Sequence, residues 1–219
     1  LVKPYKMPDK TMQRLKTLMN ERKFLVEQRT SFMNRKQLCT TKEDAQLYDS
    51  YIKNLSHDIE NIELEEQKLL ATDDSLLATY KNLLTIPGIG FVNAMNVIVI
   101  TRNFTAFETA RQYASYIGMA PHFHTSGTSV KWRPRPSARC DGQAKADLSM
   151  AASVAVQCDA ELQSFYNRTL GGKQDSDTKR KALNAVKFKL VLRMFAIGKQ
   201  NREWEPLDSK SSNEKLAIS

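Results

Sequence analysis

The sequence predicts a mainly α-helical protein, a helical coiled-coil hairpin followed by a compact helical domain. Three observations carry this expectation. Residues 8–37 contain no glycine and no proline beyond Pro8, and paired apolar residues return every seven positions as Leu18/Met19, Leu25/Val26 and Phe32/Met33. Residues 45–70 keep a 3-4 spacing through Ala45, Tyr48, Ile52, Leu55, Ile59, Ile62 and Leu69, broken once by Glu66. Beyond Ser75, apolar residues recur at helical spacing in short stretches separated by glycine, proline and capping residues.

The first two segments read as a coiled coil over several heptads, joined near Leu38–Lys42. Residues 1–40 carry ten Lys/Arg against Asp9, Glu21 and Glu27, whereas residues 41–74 set Lys42, Lys53 and Lys68 against ten acids. A basic helix followed by an acidic one suits an antiparallel hairpin, each exposed pair contributing ~0.2–1 kcal/mol. Such a hairpin serves either as a spacer or as a dimerisation arm. The arm is favoured, because two helices alone leave apolar surface in want of a partner. The acids of 41–74 read as a solvated helix face.

Asp73-Asp74-Ser75 marks a break and a helix start. Helices are predicted at 75–85, 91–100, 109–117, 142–157, 160–169 and 178–198, with 103–107 a loop in which Thr105 can cap a helix. From His122 to Arg139 the helical pattern stops, leaving a loop or a short hairpin. After Trp204-Glu205-Pro206 the chain turns polar and reads as a frayed tail. The expected organisation is an arm over 1–72, a compact domain over 73–206 and a tail over 207–219.

The 219 residues carry a formal charge of +9, and because the first two segments nearly cancel, the surplus belongs to residues 75–219. A polyanion-binding surface is expected there. No apolar run approaches membrane length. Cys39, Cys140 and Cys158 are widely spaced and form neither a CxxC nor a Cys/His cluster, so neither a zinc site nor a disulfide framework is indicated, and a reducing cytoplasm is the expected compartment. No secretory signal is visible, and a chain that opens on Leu1 suits a fragment of a longer product.

Two segments invite a functional reading. Thr85-Ile86-Pro87-Gly88-Ile89-Gly90-Phe91 joins two helix-patterned stretches through a Gly-x-Gly turn. Pro87 disfavours helix at Ile86, the glycines permit a tight turn, and the next helix begins with outward backbone N–H groups that suit a phosphate. The pattern resembles the helix-hairpin-helix motif, which grips nucleic-acid backbones. It equally suits an ordinary αα-turn. Thr125-Ser126-Gly127 to Val130-Lys131-Trp132-Arg133-Pro134-Arg135 places hydroxyls around a glycine ahead of alternating cations, with Arg139 and Lys145 nearby. If extended, Lys131, Arg133 and Arg135 share one face. A hydroxyl beside a cationic rim is what phosphoryl transfer needs, although His122 and His124 are no convincing base. On spacing alone a Ser-Gly pair is more often a turn.

Taken in order, Ile86-Pro87-Gly88-Ile89-Gly90, then Phe107 with Ala110-Arg111-Gln112-Tyr113-Ala114-Ser115-Tyr116-Ile117-Gly118-Met119-Ala120-Pro121, then Ser126-Gly127 through Arg135 to Met150-Ala151-Ala152, resemble the C-terminal transposase domain of the insertion-sequence 110 family, relatives of Piv-type DNA invertases. Leu25 to Thr30 and Asn34-Arg35 resemble that family's coiled-coil region, and the likeness covers roughly residues 8–206. The resemblance implies a DNA transposase or site-specific recombinase in which Ser126 is the nucleophile. It implies that Gly88, Gly90, Lys131, Arg133, Arg135, Arg139 and Lys145 meet DNA. It also implies a structured guide (bridge) RNA and a metal-binding RuvC-like domain ahead of the coiled coil. Nothing in residues 1–219 resembles that domain, so magnesium is expected outside this chain and the fragment is expected to be inactive alone. The family often reads Ser-Ser-Gly and Ser-Lys-Arg-Gly-Asn, where this chain has Thr125-Ser126-Gly127 and Ser137-Ala138-Arg139-Cys140-Asp141, and Lys145 stands where arginine is usual. The rival reading is a non-catalytic DNA-binding module on a coiled-coil scaffold.

A last basic run, Lys179, Arg180, Lys181, Lys187, Lys189 and Arg193, has no acid within it. It suits either a backbone-contacting face, the favoured reading, or a solvated one around Leu183, Val186, Leu190 and Met194.

Overall fold

The computed structural model describes residues 9–119, 125–126, 130–131 and 140–206. Among them it is mainly helical, as the periodicity predicts. The chain divides into two units, Leu1–Leu77 and Ala78–Ser219.

The first unit pairs α1 (Lys10–Gln37) with α2 (Lys42–Leu70). Each helix starts on a side-chain cap: Asp9 accepts from the Met12 N–H, and Thr41 from the Asp44 N–H. Cross-helix pairs run antiparallel, from Arg14–Glu65 through Arg22–Glu63 to Lys36–Asp49, so the opposite charges meet as predicted. Met12, Leu15, Leu18, Ile59 and Leu70 are buried, and Phe32 lies against Tyr48 and Tyr51 at ring separations of 6.0 and 5.3 Å. Phe24, Met33, Leu47 and Leu64 stay exposed, with Leu38 81% exposed.

One acid departs from the solvated-face reading. Glu66 occupies an apolar position of α2, is fully buried, and neither carboxylate oxygen has a hydrogen-bond partner. Burial pushes its carboxyl up to about 7, against the pull of Arg22 and with a push from Glu63.

α3 (Asp74–Leu84) leads into the second unit, which contains α4 (Phe91–Thr101), α5 (Ala110–Tyr116), α6 (Gly142–Cys158), α7 (Ala160–Leu170) and α8 (Ser176–Gln200). α8 packs on α5, α6 and α7, and α6 also packs on α4 and α7. The core is built from Val186, Leu190, Val191, Met194 and Ile197 of α8 with Leu148, Ala151, Ala152 and Ala155 of α6 and Leu162 of α7. The alanines of α6 let its neighbours approach closely. Phe195 meets Phe104 edge-to-face at 5.1 Å and Tyr113 at a tilt at 5.5 Å.

The predicted helix at 109–117 forms, but its cap is Thr109, not Thr105. Thr109 and Gln112 make a reciprocal capping box, whereas the Thr105 hydroxyl donates to the Arg102 carbonyl at 2.6 Å. The break before α5 explains this: Arg102, Asn103 and Phe104 all take positive φ, so the chain reverses over the residues that follow α4 and the cap falls four positions beyond Thr105. The stretch left open as loop or hairpin holds a two-residue antiparallel pair, β1 (Thr125–Ser126) with β2 (Val130–Lys131), in which Thr125 faces Lys131 and Ser126 faces Val130 in register.

Candidate nucleic-acid interface

The turn between α3 and α4 treats its two glycines differently. Gly88 has φ +87°, and a Cβ there would lie 2.6 Å from the Ala151 carbonyl oxygen and 2.7 Å from the Ala155 Cβ. Its bare face is pressed against the α6 backbone. Gly90 is the N-cap of α4 with no side-chain cap, and among the described residues a Cβ there meets nothing within 4 Å. Gly90 therefore opens the helix start to the exterior, while Gly88 serves packing and chain reversal. The flanking Ile86 and Ile89 are buried. The C-terminal segment braces the same turn, since the Trp204 N–H donates to the Thr85 hydroxyl at 2.8 Å and Asn82 donates to Asn201 at 3.0 Å.

The two sides of the basic stretch are fastened together. The Asp141 N–H donates to the Tyr116 carbonyl at 3.2 Å, and Lys145 Nζ donates to the Gly118 carbonyl at 2.8 Å. Asp141 also caps α6 through the Ala144 N–H at 3.0 Å. Residues 116–118 and 141–145 thus form one base from which the intervening segment leaves and to which it returns. Ser126 and Lys131 lie on the paired strands within that segment, while Arg133, Arg135 and Arg139 lie outside the described residues. α4 is tied to α6 by the Asn96 amide, which donates to Asp147 at 2.8 Å, so the α4 start and the base share one support.

Behind the base, Lys187 of α8 is 5% exposed, and its Nζ donates to the Ser149 hydroxyl at 3.1 Å. Ser149 in turn donates to the Lys145 carbonyl at 2.8 Å. Burial first, and the Lys145 charge second, hold the Lys187 ammonium below the usual lysine range. Sequence reasoning missed this contact, although a signal was available: Lys187 falls at the helical spacing of Leu183, Leu190 and Met194.

The rest of the late basic run differs from the favoured reading. Arg193 bridges Asp159 and Glu161 at 2.6 Å each and lies 4.8 Å over the Trp204 ring, and Lys189 meets Glu161 at 3.0 Å. Burial opposes ionisation of Asp159 and Glu161, but hydrogen bonds and these cations hold both below the usual carboxylate range. Arg180 and Lys181 pair with Asp177. The acids that occupy these cations come from the N-cap and first turn of α7 and from the first turn of α8, so the absence of acids inside the run was no guide.

Residues 80–167 match the family model of the IS116/IS110/IS902 transposases. This transposase-like segment runs from α3 through α7 and includes the Gly-x-Gly turn, the fastened base and the strand pair. The chain is 26% identical over 157 residues to pilin gene-inverting proteins of Moraxella lacunata and Moraxella bovis, covering 72% of this chain and 48% of each of them. It is 27% identical over 123 residues to an uncharacterised 43.6 kDa protein of insertion element IS110 from Streptomyces coelicolor, covering 55% of this chain and 30% of that protein. The chain therefore spans about half the length of the first two relatives, or less of the third. Among the described residues no helix is long and apolar enough to cross a membrane, and no three His, Cys, Asp or Glu side chains gather to hold a metal.

Proposed function

We propose that this chain is the DNA-handling part of a transposase or DNA invertase and that Ser126 is its nucleophile. The observation that carries the reading is the match of residues 80–167 to a transposase family, a span that contains Ser126 on a segment rooted in a hydrogen-bonded base. In the proposed step the Ser126 hydroxyl oxygen attacks a DNA phosphorus, the bond from phosphorus to one deoxyribose oxygen breaks, and that oxygen leaves as a hydroxyl after taking a proton. The serine proton passes to a base that the remainder of the protein supplies. The phosphoserine link keeps the phosphoester energy, so a new strand's hydroxyl reverses the step without an external energy source. Lys131, Arg133, Arg135, Arg139 and Lys145 balance the charge on the phosphate oxygens, and the open start of α4 at Gly90 holds a neighbouring phosphate. A divalent metal such as magnesium would be held by a RuvC-like domain outside this chain, and a guide RNA would select the site.

The α1–α2 hairpin serves as the contact between two copies in this reading, through the side chains it leaves exposed along the arm. The test is strand exchange by the full-length protein with its guide RNA and DNA. Ser126→Ala abolishes cleavage while DNA retention persists. Cleavage at the normal rate by that variant refutes the catalytic assignment and leaves the DNA-binding module as the surviving reading.

A further inference from the structure

Lys187 is a charged side chain in the wrong place for a purely structural residue. It sits 5% exposed between Val186, Leu190 and Val191, and its ammonium carries three N–H donors. Among the described residues its hydrogen-bond partner is the Ser149 hydroxyl, and the nearby cation is Lys145, whose own partner is the Gly118 carbonyl. No described carboxylate lies within salt-bridge distance of either ammonium. The contrast with Arg193 on the same helix is direct, since that half-buried cation is met by two carboxylates. A buried charge that stays charged needs an opposite charge or a full set of acceptors. Here a second positive charge takes the place where a negative one is expected. Ser149 adds direction: its O–H is spent on the Lys145 main-chain carbonyl one turn earlier on α6, which leaves its oxygen to accept from Lys187.

We infer that Lys187, Lys145 and Ser149 form a phosphate-binding site at the root of the segment that carries Ser126, and that its ligand is a phosphate group of the DNA. The inference rests on the proposed function for the identity of the nucleic acid, but the anion chemistry stands on two ammoniums that no described carboxylate meets. Lys145 is the outer contact, half-exposed at the start of α6, and Lys187 is the inner one, held rigid by the core of α8. A phosphodiester oxygen that accepts from both offsets the repulsion from Lys145, which adds to the larger effect of burial in holding the Lys187 ammonium below its usual range. Bound phosphate therefore raises the affinity of Lys187 for its proton, an effect a purely structural lysine does not show.

Two measurements on the whole chain test this. The first follows the lysine side-chain resonances of protein carrying carbon-13 at Cε during titration with inorganic phosphate, with chloride at matched ionic strength as control. The Lys187 signal is expected to move saturably with phosphate alone and to titrate at higher pH once phosphate is bound. The second compares DNA retention across salt for wild type, Lys187→Met and the double variant Lys131→Glu/Arg133→Glu. Lys187→Met puts an apolar chain of similar length into an apolar helix face, so it folds with undiminished stability. It is expected to bind DNA several-fold more weakly, with the slope of log affinity against log salt smaller by about 0.9, the loss of one phosphate contact. A Lys187 signal that ignores phosphate, together with unchanged affinity and slope for Lys187→Met, overturns the site even if the double variant abolishes binding. If wild type retains no DNA at any salt, the proposed function fails, and the phosphate titration still decides the anion site by itself.

Discussion

Gly88 and Gly90 belong to one turn, yet the geometry assigns them opposite tolerances, and a pair of alanine substitutions separates packing from binding. At Gly88 an alanine must adopt φ +87°, which costs an L-residue about 1–2 kcal/mol. Its Cβ would also lie 2.6 Å from the Ala151 carbonyl and 2.8 Å from the Ala155 nitrogen. Both are backbone atoms of α6 and cannot rotate aside, so α4 and α6 must separate. Overpacking of this kind costs roughly 1–3 kcal/mol. Gly88→Ala is therefore expected to destabilise the second unit by about 2–5 kcal/mol. At Gly90 the φ is −104° and the added methyl meets nothing, so Gly90→Ala loses no more than about 1 kcal/mol, the difference between glycine and alanine as a cap. Urea denaturation of both variants reads this as a shift in midpoint at constant slope. Equal stabilities for the two variants would refute the packing argument. DNA retention supplies the complement: if the open start of α4 holds a phosphate, Gly90→Ala weakens binding several-fold while leaving the fold intact.

Further outcomes are expected. Glu66 has a folded value of about 7 against an unfolded value near 4.3. The folded state therefore favours the protonated form, and stability is fully present below the unfolded value. It falls as pH rises toward 7, by roughly 3 kcal/mol. Denaturation between pH 5 and pH 8 checks this, and Glu66→Leu should erase the slope. Arg193→Ala strands Asp159 without its cation and is expected to cost about 3 kcal/mol, with little change in DNA salt dependence; a large drop in that dependence would restore the contact-face reading of α8. Replacing exposed Leu38 and Leu47 with aspartate should shift sedimentation toward monomer if the arm joins two copies, while circular dichroism stays helical.

The helices were legible because their signals are local. Heptad pairs, the capping Asp and Thr residues, and glycine and proline breaks act within a few positions, so the structured boundaries fall close to the predicted ones, from α1 and α2 through α8. Even the misplaced cap is a local error: Thr105 and Thr109 are equivalent cap candidates until three consecutive positive-φ residues decide where the chain turns. Of the candidate site, the residue types at the Gly-x-Gly turn and the Ser-Gly segment could be read directly, but their surroundings could not.

By itself, then, the sequence determined the helical class and the antiparallel hairpin with its opposite charges. Tertiary structure alone decided that Gly88 faces α6 while Gly90 faces outward, that Glu66 is buried without a partner, and that Arg193 is paired while Lys187 is not. The reason is range. A helix forms from interactions between residues three or four apart, whereas the charge state and freedom of a side chain depend on what a distant part of the chain brings to it. Lys187 and Arg193 differ because α7 offers one of them two carboxylates and α6 offers the other a hydroxyl and a second cation.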